Sequence, residues 1–278
     1  MSNGTLYRYT AFSTDPKGGN PAGVWVGDTL PDAATMQQIA AEVGFSETAF
    51  VAPQTGQDRT IRYFSPEMEV PFCGHATIAT GVALGDLSGD GLYRLATQAG
   101  EVPVAVRSQD GLRQAALTSV EPTYEDADNQ LVTAALAALR WKASDLDLSI
   151  PPAKAYAGAW HLVLAVDSAD RLANLNYNFD ALKALMQAEG LITLQLIWRE
   201  SETVFNSRNP FPVGGVVEDP ATGAAAAALG GYLRDANLVT APAKLLIRQG
   251  EAMGRPSRLT VEIPTTGGII VSGAAVPI

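Results

Sequence analysis

Two stretches of this chain are helical in pattern yet carry almost no charge on any face. They are "GHATIATGVALG", Gly74–Gly85, and "DPATGAAAAALGG", Asp219–Gly231. A helix that is apolar or small all round belongs inside a protein, because no face of it suits water. Such a chain must supply enough apolar strand to enclose each helix. Short strand patterns do dominate it. "TLYRYTAF", "AGVWVG", "TAFVAP", "RTIRYFS", "EVPVAVRS" and "RQAALTSV" fall in the first 120 residues, and "HLVLAVDS", "LITLQLIW", "KLLIRQG", "RLTVEIP" and "GIIVSGA" follow. The two buried segments also match one another: Ala76 with Ala221, Thr77 with Thr222, Ala83 with Ala228, Leu84 with Leu229, Gly85 with Gly230. The offset, 221 − 76 = 145, is about half of the 278 residues. Alanine-rich helices also match by chance. Duplication is the alternative, and it predicts an α+β fold of two pseudo-symmetric halves, residues 1–120 and 121–278. Each would be a barrel-like, mostly antiparallel sheet around one central helix.

Other helical segments are amphipathic and predicted to lie on the surface. "PDAATMQQIAAEVG" starts with Pro31 and Asp32 and lines up Met36, Ile39, Ala40 and Val43 on one face. "QLVTAALAAL" and "FDALKALMQAEG" are of the same kind.

Charge and cysteine content narrow the function classes. Nineteen Lys and Arg against 29 Asp and Glu give a formal charge of −10, with no basic run, so nucleic acid and anionic membrane are poor partners. One cysteine, Cys73, forbids an intrachain disulfide. Together with an N-terminus lacking a basic-then-apolar signal pattern, this predicts a cytoplasmic protein. No run approaches the length of a membrane span. There is no HExxH, CxxC, P-loop or GxGxxG, so neither a metal nor a nucleotide cofactor is expected.

Three acids and a histidine are candidates for chemistry. Glu47 lies between Phe45 and Phe50, where a helix gives way to an apolar strand. An apolar setting disfavours a carboxylate's charged form, which is how a glutamate becomes a general base; the alternative is a solvated loop residue. On the duplication match, Glu218 and Asp219 sit where Cys73 and Gly74 sit, so "FCGH" and "VEDP" would form two lips of one site at helix N-termini, where anions bind. Asp219 either N-caps its helix, with Pro220 at the first helical position, or reaches the ligand; both roles are compatible. His75 lies in the first lip. His161, at the start of a strand pattern, reads as structural.

At these residues the sequence resembles the PhzF-like isomerases of phenazine biosynthesis. The motifs, in order, are "GNPAGV" (Gly19–Val24), "GFSETAF" (Gly44–Phe50), "FSPEMEVPFCGHAT" (Phe64–Thr77), "GGVVEDPATGAAAAALGGYL" (Gly214–Leu233) and "RQGEAMGRPS" (Arg248–Ser257). The resemblance implies the diaminopimelate-epimerase fold with a site between two halves, and a homodimer. It puts the acid–base glutamate at Glu47 and the pocket residues at Gly74, His75 and Asp219. Cys73, Thr222, Gly223 and Ala224 are expected beside the substrate. It implies a cofactor-independent double-bond shift on a small carboxylated metabolite. Family members often carry serine where this chain has Ala224, which changes the expected substrate. Two-thiol epimerisation is excluded, because a second cysteine is missing. A racemase or epimerase using Glu47 with Cys73, and a ligand-binding relative with little catalysis, are the alternative functions.

Overall fold

The structure is a computed structural model and describes residues 3–109 and 111–278. The chain forms two compact units, Met1–Thr118 with Ser272–Ile278, and Ser119–Val271. The end of the chain, counted with the second half by sequence order, thus packs into the first unit.

The first unit contains β1 (Gly4–Ala11), β2 (Asn20–Gly27), α1 (Ala33–Val43), β3 (Glu47–Pro53), β4 (Arg59–Phe64), β5 (Glu69–Val70), α2 (Gly74–Ser88), β6 (Gly91–Thr97), β7 (Gly100–Gln109) and β8 (Leu112–Thr118). β1 and β2 pair antiparallel, β2 and β3 parallel, β3 and β4 antiparallel, β4 and β6 parallel, and β6 through β8 antiparallel. The last strand of the chain, Ile270–Pro277, pairs antiparallel with β1, Tyr9 opposite Pro277, and also pairs with β8. That closes a mostly antiparallel barrel of eight strands. α2 fills it: every residue from His75 to Gly85 is buried. Gly81 shows how tight the fit is, because a Cβ there would stand 2.8 Å from both Ala115 and Val104. α1 covers the outside. Asp32 caps it by accepting from the Thr35 N–H, and Met36 and Ala40 pack with Trp25, Phe50 and Phe64.

The second unit contains β9 (Thr123–Asp126), α3 (Asn129–Leu139), β10 (Ala153–Tyr156), β11 (Trp160–Ala165), α4 (Ala169–Ala173), α5 (Phe179–Glu189), β12 (Leu191–Arg199), β13 (Val204–Pro210), β14 (Glu218–Asp219), α6 (Gly223–Asp235), β15 (Ala243–Gln249) and β16 (Ser257–Ile263). From β10 to β11, β12, β13, β15 and β16 the pairings run antiparallel, parallel, antiparallel, parallel, antiparallel. This is the same alternation as from β1 to β7. α6 is the wrapped helix, packed on β9 to β12 and β16 and buried along Ala225–Leu233. α3 and α5 lie outside with one apolar face each, as expected, in a cluster with Leu162, Leu164, Leu194 and Leu196.

The repeat expected from the sequence is therefore real in topology, but its register is corrected by one helical turn. The helices begin at Gly74 and Gly223, 223 − 74 = 149 apart, not 145. The same offset brings together Gly81 and Gly230, which face equivalent residues: a Cβ at Gly81 would meet Val104 at 2.8 Å and Val106 at 3.4 Å, and one at Gly230 Val261 at 2.9 Å and Ile263 at 3.5 Å, the fifth and seventh residues of β7 and β16. Small-residue helices match nearly as well when slipped by one turn, and only the close approaches decide. Cys73 thus corresponds to Thr222 and His75 to Ala224. Among the described residues, no helix is long and apolar enough to cross a membrane.

Candidate functional site

In the first unit the barrel brings three of the expected residues together. Gly44 ends α1 in the left-handed conformation, and β3 starts three residues later at Glu47. α2 starts from the same end, with Cys73 as N-cap and His75 in its first turn. Glu47 Oε2 lies 3.4 Å from His75 Nε2, and the Ser46 hydroxyl lies 3.3 Å from the same nitrogen. The Glu47 side chain is 17% exposed and that of His75 7%, so the pair is shielded but reachable. Cys73 Sγ stands 3.4 Å from His75 Nδ1 and 3.9 Å from Nε2. Such similar distances to both nitrogens set the sulfur against the flank of the ring, away from either lone pair. Behind it, Thr77 donates to the Cys73 carbonyl at 2.7 Å, and the buried Tyr63 hydroxyl bonds Thr77 at 2.6 Å. Burial pushes the Tyr63 hydroxyl far above its usual pKa, so it is a permanent donor. The first-turn N–H groups of α2 have no partner within the helix and make its N-terminus electropositive.

Glu47, Cys73 and His75 offer ligand atoms within 4.8 Å of one another, the one such group among the described residues. Coordination of one ion by the thiol and a ring nitrogen would require the sulfur to leave the ring flank and turn onto a lone pair.

In the second unit Asp219 does not cap α6. It lies in β14, paired with Asn209, and the helix begins four residues later, with Thr222 as N-cap. The ladder holds Asp219 extended, and a residue before proline avoids the helical region, so Pro220 ends β14 rather than opening α6. The Asp219 carboxylate instead receives the Thr222 hydroxyl at 2.6 Å. Thr222, Gly223 and Ala224 follow as the cap and first residues of α6.

Glu218, expected beside Asp219 at a lip of the site, is a buried structural group. It forms a two-pronged ion pair with Arg208, at 2.9 and 2.5 Å, and Arg208 also donates to the Ala173 carbonyl at 2.8 Å. Arg208 and Gln249 escaped the sequence reading. Gln249 lies within the quoted "RQG" motif, and Arg208 is the one cation in the strand "VFNSRNP"; neither signal identifies a partner.

His161 is fully buried in β11, with Nδ1 2.8 Å from the Thr193 hydroxyl. Burial lowers its pKa from 6.5 to about 3. The native state therefore holds His161 neutral, while the unfolded chain protonates it below pH 6.5. Its contribution is intact above that value and is lost as pH falls toward 3, by up to about 1.4 kcal/mol for each pH unit. Urea titrations between pH 7 and 4 are expected to show this fall, and His161→Asn is expected to flatten it. An equal slope in the variant would remove His161 as its source.

A family model for phenazine biosynthesis-like proteins, PhzC-PhzF, matches residues 9–278. Trans-2,3-dihydro-3-hydroxyanthranilate isomerase of Pseudomonas aeruginosa is 33% identical, over 91% of this chain and 89% of its own. The crystal structure of a PhzF-family phenazine biosynthesis protein from Bacillus anthracis superposes with a TM-score of 0.85 at 26% identity, covering 98% of this chain and 96% of that one. A hydroxyproline epimerase from Agrobacterium vitis shares the fold alone, with a TM-score of 0.69 at 14% identity, covering 99% of this chain and 90% of that one. The chain belongs to the PhzC-PhzF family of phenazine biosynthesis-like proteins and is an enzyme of the isomerase class.

Proposed function

We propose that the protein shifts a double bond in a small carboxylated metabolite by moving one proton between carbons, without a cofactor. The observation that carries this reading is the shielded Glu47–His75 pair, 3.4 Å apart at the start of a buried helix. Ionised Glu47 takes a proton from carbon, and the electron pair left behind moves into the new double bond. The old double bond's far carbon then takes the proton back from the same carboxyl group, so the formula is unchanged. His75, with the ring proton on Nε2, donates to the Glu47 carboxylate and holds it in place. The N–H groups at the start of α2 stabilise negative charge that builds on the substrate. Asp219 binds the substrate's polar substituents, and Cys73 supports the His75 ring without acting as the base.

The relative's substrate, a cyclic acid bearing amino and hydroxy groups, suggests the substrate class. Alanine at position 224 removes a hydroxyl there, so a different member of that class is the better candidate. A second reading, epimerisation, draws on the Cys73 thiol beside His75. Inversion at a stereocentre would mark it, but Thr222 stands at the position matching Cys73, where a thiol pair would need its second cysteine. Proton exchange into small carboxylic acids in heavy water tests the proposal, because a ligand-binding protein without catalysis leaves the carbon-bound hydrogens in place.

A further inference from the structure

Gln249, the last residue of β15, is 1% exposed, and its side chain bonds to the segment that carries Asp219 and Thr222. Its Oε1 accepts from the Thr222 backbone N–H at 3.1 Å. Its Nε2 donates to the Asp219 backbone carbonyl at 2.8 Å and to the Thr222 hydroxyl at 3.0 Å. Two of these partners are one-way groups: a backbone N–H only donates and a carbonyl only accepts. They fix which end of the amide is oxygen and which is nitrogen. Both amide hydrogens are then used, and the one that reaches Thr222 makes its hydroxyl oxygen an acceptor. The single hydroxyl hydrogen of Thr222 is left to go to Asp219 Oδ2, 2.6 Å away. Every direction in this chain of bonds follows from the backbone.

We propose that Gln249 is a positioning residue that acts through the Thr222 hydroxyl to aim the Asp219 carboxylate and commit its Oδ2 to accepting a hydrogen bond. The consequence for turnover rests on the role given to Asp219 above, but the relay does not. Of the charged groups on the adjoining elements, Glu218 pairs with Arg208, Arg248 with Glu200 and Glu251 with Arg258, and the Arg255 backbone lies across Gly250 from Pro220. The Thr222 variants leave all of these charges unchanged, so differences among them report the relay.

The experiment is a carbon-13 NMR titration of the side-chain carboxyls of the full chain, with Asp219→Asn to assign the signal. Thr222→Val keeps the shape and removes the hydroxyl. Its Asp219 midpoint is expected to rise by about one pH unit, a tenfold change in acidity. Thr222→Ser restores the hydroxyl and is expected to restore the midpoint. Gln249→Glu is expected to raise it further, because the new carboxylate competes for the Thr222 proton and also sets a like charge beside Asp219. A second readout needs no variant: both side-chain amide protons of Gln249 are bonded and should exchange slowly with solvent. Wild-type midpoints in folded Thr222→Val, or rapid exchange of the Gln249 amide protons, would overturn the proposal. Neither outcome depends on finding a substrate, so failure here is distinguishable from failure of the isomerase reading.

Discussion

Replacing Glu218 by alanine is expected to destabilise the protein by about 3–5 kcal/mol, the cost of leaving a buried charge without its partner. The Glu218 side chain is 4% exposed and that of Arg208 14%, with both guanidinium contacts to the carboxylate inside hydrogen-bonding distance. Removing the carboxylate leaves Arg208 charged at any accessible pH, with one remaining bond to the Ala173 carbonyl. The pair also ties β14 to β13, so the segment that carries Asp219 loses a side-chain anchor while its backbone pairing with Asn209 remains. The double variant Arg208→Met, Glu218→Leu is expected to cost less than Glu218→Ala, because neither charge remains to be desolvated. Urea unfolding measures both. A Glu218→Ala loss under about 1 kcal/mol would show a pair as weak as an ordinary surface one.

Glu47→Gln is expected to lower turnover by ~10²–10⁴ while changing substrate affinity little. Glutamine keeps the size and the ability to accept from His75 Nε2, but it does not take a proton from carbon. The unfolding midpoint should stay near wild type, since Glu47 retains some exposure and its loss orphans no buried cation. A variant within tenfold of wild type on a verified substrate would make Glu47 a positioned loop residue and move the base elsewhere.

The two central helices were legible in the sequence because a surface helix needs a polar stripe and these have none. The site in the first unit was legible for a related reason. Glu47 and His75 lie in short segments that start a strand and a helix at the same end of one barrel, and both segments carry the family motifs. The register of the repeat was not legible, because alanine, glycine and leucine fit almost equally well one turn along. Contacts of Gly81 and Gly230 with their own strands decide it. The last strand's place in the first unit depends on Tyr9 meeting Pro277, a pairing across nearly the whole chain. The Asp219 segment misled in a different way. "EDPATG" has the composition of a capped helix start, but pairing with Asn209 holds it extended. The same pairing turns Glu218 toward Arg208, so one of two adjacent acids is structural and the other meets Thr222. Gln249 lies 27 residues from Thr222, and only the fold joins them.

The central claim is proton transfer at carbon without a cofactor, and mass spectrometry in heavy water tests it most directly. Wild-type protein, freed of small molecules by dialysis against chelator, is incubated with a panel of unsaturated cyclic amino and hydroxy carboxylic acids. The account predicts that at least one acid gains a single carbon-bound deuterium as its double bond moves, and that Glu47→Gln leaves the same acid unlabelled. An acid that isomerises only when a metal or organic cofactor is added back, or that is labelled equally by wild type and Glu47→Gln, would contradict it.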